Sequence, residues 1–277
     1  EGEDYQLQYV GLFKIFIEVK SMDFGLKDKA AVVTGGARGI GRAEAEALAE
    51  EGCNLAIISR TVQEAENACK ELELKGVKAL PIKADVTRSQ DVQMVMSEVV
   101  KVFGRVDVLI NNAGITGPPW NKALIDLDEE TWNVMIDSHL KSTFLCIKYA
   151  APHMIARRWG RIINTSSIHG RVGGRPSLGH YGAAKAGVIA LTRTAARELG
   201  PKGITSNVIA PGFIRTAQLE KTLSPDVMDT IEHQIPLGRI GEPRDAARVV
   251  AFLASEASSY INGAVIDING GRWEYFL

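Results

Sequence analysis

The chain of 277 residues is short of cysteine and nearly without net charge, and each shortage removes a class of protein. Its three cysteines, Cys53, Cys69 and Cys146, are odd in number and carry no CxxC pair. That pattern argues against a disulfide framework or a zinc site and fits a reducing, cytoplasmic setting. Thirty-two basic residues against 33 acidic ones leave a charge of -1, so no global field favours nucleic acid or an anionic membrane surface. A small-molecule ligand is the better expectation. The apolar stretch near the start is interrupted by Lys14 and Glu18 and follows acidic residues, where a signal peptide carries basic ones. It is expected neither to span a membrane nor to direct secretion. Residues 1–21 read as an extension, either upstream sequence or an arm that packs on a neighbour. No repeat and no Pro/Ser-rich linker interrupts the rest, so 22–277 reads as one domain.

What is present is a large apolar fraction, 45%, arranged in alternation. β-rich runs "AAVVTG", "NLAIIS", "KALPIKAD", "VDVLINN", "GRIINTSS", "GITSNVIAP" and "AVIDING" read as seven strands. Between the early ones lie "RAEAEALAEEG", "VQEAENACKELELKG" and "SQDVQMVMSEVVKVFG", rich in helix formers and each closed by glycine. This order predicts an α/β, Rossmann-type, doubly wound parallel sheet of seven strands with helices on both faces. In such a fold the ligand lies beyond the carboxyl ends of the strands.

"TGGARGIG" (Thr34–Gly41) stands between the first strand and a helix, where glycines let backbone approach a pyrophosphate at the helix N-terminus. Gly35, Gly39 and Gly41, with Arg38 and Ile40 between them, are therefore candidate cofactor residues; a tight turn alone is the plain alternative. At the end of the second strand, where an acid often holds the adenosine ribose, the chain has Ser59 and Arg60. Ser59 removes repulsion of a 2′-phosphate, and the forks of Arg60 and Arg38 suit that phosphate, unless both arginines are merely solvated. NADP(H) is accordingly preferred over NAD(H).

Tyr181 and Lys185 in "YGAAK" are four apart, so a helix stacks them on one face, where the ammonium favours tyrosinate. A free phenol of pKa ~10 is a poor base at neutral pH, and each unit of depression takes about 1.4 kcal/mol. An interface aromatic beside a solvated lysine is the other reading.

With "NNAG" (Asn111–Gly114), "NTSS" (164–167) and "APG" (210–212), these motifs together resemble the short-chain dehydrogenase/reductase family over about residues 26–271. The resemblance implies hydride transfer between nicotinamide and a carbonyl or carbinol carbon, without metal. It assigns Ser167 to the substrate oxygen, with Ser166 as a bland strand-end hydroxyl. Tyr181 exchanges the proton, and Lys185 also holds the nicotinamide ribose. It places Asp85 and Val86 near adenine, although Asp85 also suits a cap for the next helix. Asn112, Ala113 and Gly114 fall along the adenosine side, and Pro211, Gly212, Ile214 and Thr216 near the carboxamide. The family's usual asparagine, in a long helix after the fourth strand, is here His139 in "HLKSTF". It serves as a modified relay, or merely packs while the relay is supplied otherwise, or impairs the chemistry, and a charge on it near neutral pH opposes the lysine.

Substrate selection is expected after Asn111, between Ser167 and Tyr181 with His169, Arg171, Arg175 and His180, and from Ile214 to about Pro236, with Trp120 and Phe213 as apolar wall. Within the family the pattern looks most like 3-oxoacyl-carrier-protein reductases and related carbonyl reductases. That likeness implies a homotetramer, with the C-terminal "GGRWEYFL" at a subunit contact, and an acyl carrier protein docked on Arg158 and Lys202. The rival readings are an NAD-dependent sugar or alcohol dehydrogenase and a nonenzymatic dinucleotide-binding protein.

Overall fold

A computed structural model describes residues 24–117 and 120–273; the extension 1–21 and the last four residues of "GGRWEYFL" lie outside them. Seven strands, β1 (Ala30–Thr34), β2 (Asn54–Ser59), β3 (Ala79–Lys83), β4 (Val108–Asn111), β5 (Gly160–Thr165), β6 (Ile204–Pro211) and β7 (Val265–Ile268), form one sheet of order 3-2-1-4-5-6-7. Every pairing is parallel. The central strands are buried on both faces, which is why they read as continuous apolar runs.

On one face pack α1 (Gly39–Glu50), α2 (Val62–Glu73) and α10 (Pro243–Ala254), around a core that includes Leu48, Leu72, Ile163 and Val250. On the other face α3 (Ser89–Phe103), α5 (Ser142–Arg157) and α7 (Gly179–Leu199) enclose Val95, Met96, Ile162 and Ala195. Chain order reverses between β1 and β4. That switch point opens a crevice at the carboxyl ends of the strands, and the loops after β1, β4, β5 and β6 meet there.

The long helix expected after β4 forms, with α4 (Glu129–Ile136) running through a π-helical turn, Asp137–Lys141, into α5. That wider turn carries His139, whose ring meets Tyr181 edge-on. The remaining helices, α6 (Ile168–Val172), α8 (Ala217–Thr222) and α9 (Pro225–Gln234), sit around the rim. No described helix is long and apolar enough to cross a membrane.

Candidate active site

The phosphate cradle is built first, from residues close in sequence. Gly35 has φ +66°, and a Cβ there would press on the Asn112 side chain and Ala113 backbone. Gly41 admits no Cβ either, because it would collide with the Asn112 amide and the Gly35 carbonyl. Asn112 Nδ2 donates to the Thr34 and Gly35 carbonyls at 3.2 and 3.3 Å, bracing the turn. Thr34 Oγ1 accepts from the Asn112 and Ala113 N–H groups, both at 3.1 Å. The β1 and β4 loops are thus locked together, a role for Thr34 that the sequence pattern does not announce.

The resulting cleft is lined by Gly35, Arg38, Gly39 and Ile40 from the turn, and by Ser59, Arg60, Asp85 and Val86 from the next two strand ends. Asn112, Ala113, Gly114 and Thr216 complete it, together with Ser138, Gln218 and Lys221, which were not expected. Gly41 and Pro211 line neither this cleft nor the adjacent one. Gly41 packs the helix against the loop, and Pro211 closes a fully buried β6. The expected alternative for Asp85, a cap on α3, is not what forms: the cap position is Arg88, and Asp85 Oδ1 accepts from the Thr87 N–H and hydroxyl.

At the far corner Ser59 Oγ accepts from the Thr61 N–H at 3.1 Å, and Arg60 is exposed. Arg38 is loosely paired, at 3.9 Å, with Glu64 in the first turn of α2. The corner therefore holds two cations and a carboxylate that strand-end reasoning does not find, because Glu64 arrives from the following helix.

The second cleft adjoins the first. Ser167 and Tyr181 share it with an apolar wall that includes Ile115, Trp120, Leu178, Phe213 and Leu223; Gly212, Ile214 and Thr216 also border it. Ser167 caps α6, accepting from the His169 N–H at 3.2 Å, which leaves its hydroxyl proton for another acceptor. Tyr181 lies between two imidazoles set edge-on, His139 at 5.2 Å and His169 at 5.7 Å between ring centroids. One turn on, Lys185 is 4% exposed; its Nζ donates to the Thr165 carbonyl at 2.7 Å and lies 5.8 Å from the Tyr181 ring centre. Burial pushes the Lys185 amine down to about 7, against an upward pull from Glu44.

His139 is 3% exposed, and its Nε2 lies 2.9 Å from the Ile115 carbonyl. Burial, followed by the Lys185 charge, holds the imidazole well below its usual range, so the expected opposition of two cations is replaced by a neutral ring beside the lysine. In that state Nε2 faces both backbone groups of Ile115, donating to the carbonyl in one tautomer and accepting from the N–H at 3.3 Å in the other, while Nδ1 is buried without a partner. Gly114 is the complement of this ring, since a Cβ there would collide with the imidazole.

Arg158 and Lys202 do not belong to this end of the molecule. Arg158 closes α5 just before β5 starts, and Lys202 precedes β6. Both are at the amino ends of parallel strands, about 20 Å of β5 away from Ser167.

Comparison with solved structures identifies close relatives in shape. A protein described as a short-chain alcohol dehydrogenase, from Sinorhizobium meliloti, superimposes with a TM-score of 0.84 at 34% identity, over 90% of this chain and 98% of its own. A family model described as enoyl-(acyl carrier protein) reductase matches residues 35–272. The chain belongs to the short-chain dehydrogenase/reductase family. As a member, it is an NAD(P)-dependent oxidoreductase acting on carbonyl or CH–OH groups. A protein described as a gluconate dehydrogenase, from Agrobacterium tumefaciens, gives a TM-score of 0.86 at 32% identity, over 92% of this chain and 99% of its own. Among curated relatives, the 3-oxoacyl-(acyl-carrier-protein) reductase FabG of Staphylococcus epidermidis is 47% identical over 89% of this chain and 99% of its own length. The reductase of the same name from Thermotoga maritima is 40% identical over 89% of this chain and 98% of its own. Like these relatives, the chain has the make-up of a 3-oxoacyl-reductase-like oxidoreductase.

Proposed function

We propose that the chain reduces 3-oxoacyl thioesters with NADPH, using Ser167, Tyr181 and Lys185. One observation carries the reading: Ser167 and Tyr181 share a cleft whose wall is mainly apolar, and that cleft adjoins a glycine cradle fitted to a dinucleotide pyrophosphate. An acyl chain matches such a wall better than a sugar does. The names of the curated relatives support the same substrate class.

The dinucleotide, when bound, supplies the hydride to the carbonyl carbon. Ser167 Oγ–H donates to the carbonyl oxygen as negative charge develops on it, and Tyr181 delivers the proton that completes the alcohol. The Lys185 ammonium stabilises the tyrosinate left behind, and solvent then restores the phenol. Neutral His139 stiffens the wall beside Tyr181 and adds no competing charge. Ser59, Arg60 and Arg38 favour the 2′-phosphate, and Glu64 moderates that preference.

We further propose a homotetramer working in the cytoplasm on substrate carried by an acyl carrier protein. Since Arg158 and Lys202 lie at the opposite end of the sheet, a carrier held by them serves the cleft of another subunit. Absorbance-monitored oxidation of NADPH and of NADH against oxoacyl thioesters, ketones and sugars tests the whole reading. The expected result is fastest turnover of oxoacyl thioester with NADPH; preference for NADH, or for sugars, overturns it.

A further inference from the structure

The substrate cleft carries one charge that the chemistry described so far does not use. Of the described residues lining the wall around Ser167 and Tyr181, Arg175 alone bears a fixed charge, and no lysine, aspartate or glutamate stands among them. Arg175 is exposed, and its guanidinium pairs with no carboxylate among the described residues.

Its companions between Ser167 and Tyr181 have other duties. Arg171 lies 3.4 Å from Asp267 on β7 and 5.9 Å from the centre of the Trp273 ring. His180 is fully buried. His169 Nδ1 accepts from the Arg175 N–H at 3.3 Å, and the same ring meets Tyr181 edge-on.

The turn that presents Arg175 is fixed by its surroundings. The Arg175 carbonyl accepts from the Leu178 N–H at 2.9 Å, and Ser177 between them has φ +68°. Proline followed by a left-handed residue, as in Pro176 and Ser177, is the pattern of a type II turn. Serine is strained in that position, and such strain persists only where neighbours hold the chain. Here the Lys122 N–H donates to the Ser177 carbonyl at 3.1 Å, and the Gly182 N–H, in the first turn of α7, to the Leu178 carbonyl at 2.9 Å. Gly174 packs so closely that a Cβ there would collide with the same Leu178 carbonyl. The backbone of Arg175 is thus set against a ring that packs on Tyr181, while its guanidinium is left to the cleft.

Water solvates that cation in the open cleft, so it costs the fold little. A substrate that fills the cleft displaces the water. A neutral one leaves the guanidinium less hydrated and unpaired, whereas an oxyanion gains a charged donor beside an apolar wall, where the attraction is stronger than in water. One side chain therefore both selects and rejects.

We propose that Arg175 is a specificity-determining residue that binds an oxyanion, carboxylate or phosphate, carried by the substrate beyond its reacting carbonyl. The inference rests on the reduction proposed above and narrows its substrate class to 3-oxoacyl thioesters with an anionic group, either at the far end of the acyl chain or on the thiol arm. The phosphates of the dinucleotide are not that group, because Arg175 borders the substrate cleft and not the cofactor cleft.

The test compares kcat/KM with NADPH for three 3-oxoacyl thioesters of equal chain length: a pantetheine thioester ending in methyl, its counterpart ending in carboxylate, and the methyl-ended thioester of phosphopantetheine. Each anionic substrate is read as a ratio to the neutral one. In Arg175→Gln the ratio for at least one of them is expected to fall about tenfold, as loss of a charged hydrogen bond does, and Arg175→Lys restores part of it. The substrate that responds shows which end carries the anion. Added salt is expected to shrink the same ratio in the wild type. Ratios that stay put in folded Arg175→Gln overturn the proposal; if that variant does not fold, wild-type ratios indifferent to salt overturn it. Failure of the reaction itself reads differently, as no reduction of any of the thioesters or as undiminished reduction by Tyr181→Phe. Neutral thioester reduced through Tyr181, with neither ratio moved, sinks only the role of Arg175.

Discussion

Two cations face the crevice from opposite surroundings. Arg38, at the cofactor corner, has a side chain 75% exposed, whereas Lys185, beneath Tyr181, is 4% exposed. Water screens the first, so it adds affinity by attraction and little else. The second is desolvated, and its charge state depends on every neighbour brought near it by the fold. On the proposed function, selectivity for the cofactor is written in exposed charge, and chemistry in buried charge.

The largest break in that comparison is Tyr181→Phe. It removes the proton donor without touching the cradle, so kcat is expected to fall about 10²- to 10⁴-fold while dinucleotide affinity, read by fluorescence titration, stays put. Next comes a buried carboxyl, Glu44 on α1. Glu44 is raised in the folded protein, so its contribution to stability declines as pH rises from 4.5 through about 8. Glu44→Leu lacks that loss, and denaturant melts across this range should show its stability gaining on the wild type by a few kcal/mol.

The exposed side is tested by Arg38→Ala combined with Arg60→Ala. NADPH should bind about 10- to 100-fold more weakly and NADH almost unchanged, and the wild-type preference for NADPH should shrink as salt is added. Glu64→Gln sharpens the same corner in the other direction, with NADPH tightening by about threefold or less, as expected for a partly screened carboxylate. The smallest effect belongs to His139→Asn. An amide can donate to the Ile115 carbonyl or accept from its N–H, the two bonds open to the imidazole, so kcat should stay within about threefold of wild type or rise slightly. A large loss would give the unpartnered Nδ1 a specific task.

How much was legible follows the same division. "NLAIIS" coincides with β2, and the other six strands fall within their apolar runs, the central ones because strands buried on both faces leave a period-free apolar signature. The glycine turn was legible because it is short and local. The π turn carrying His139 was not, since "DSHLK" has no proline or glycine to announce a departure from regular helix. Glu64 was missed because it belongs to the helix after the strand end where the acid was sought.

The sequence by itself determined the class of fold and, through short local motifs and the family they resemble, put forward the glycine turn and the Ser167, Tyr181 and Lys185 set as candidates. Only the tertiary structure decided their electrical state. It placed neutral His139 against Tyr181, buried Lys185 against the Thr165 carbonyl, and sent Arg158 and Lys202 to the far end of the sheet. The reason is physical: residue types fix which protons can move, whereas desolvation and neighbouring charge, summed over elements distant in sequence, fix when they do.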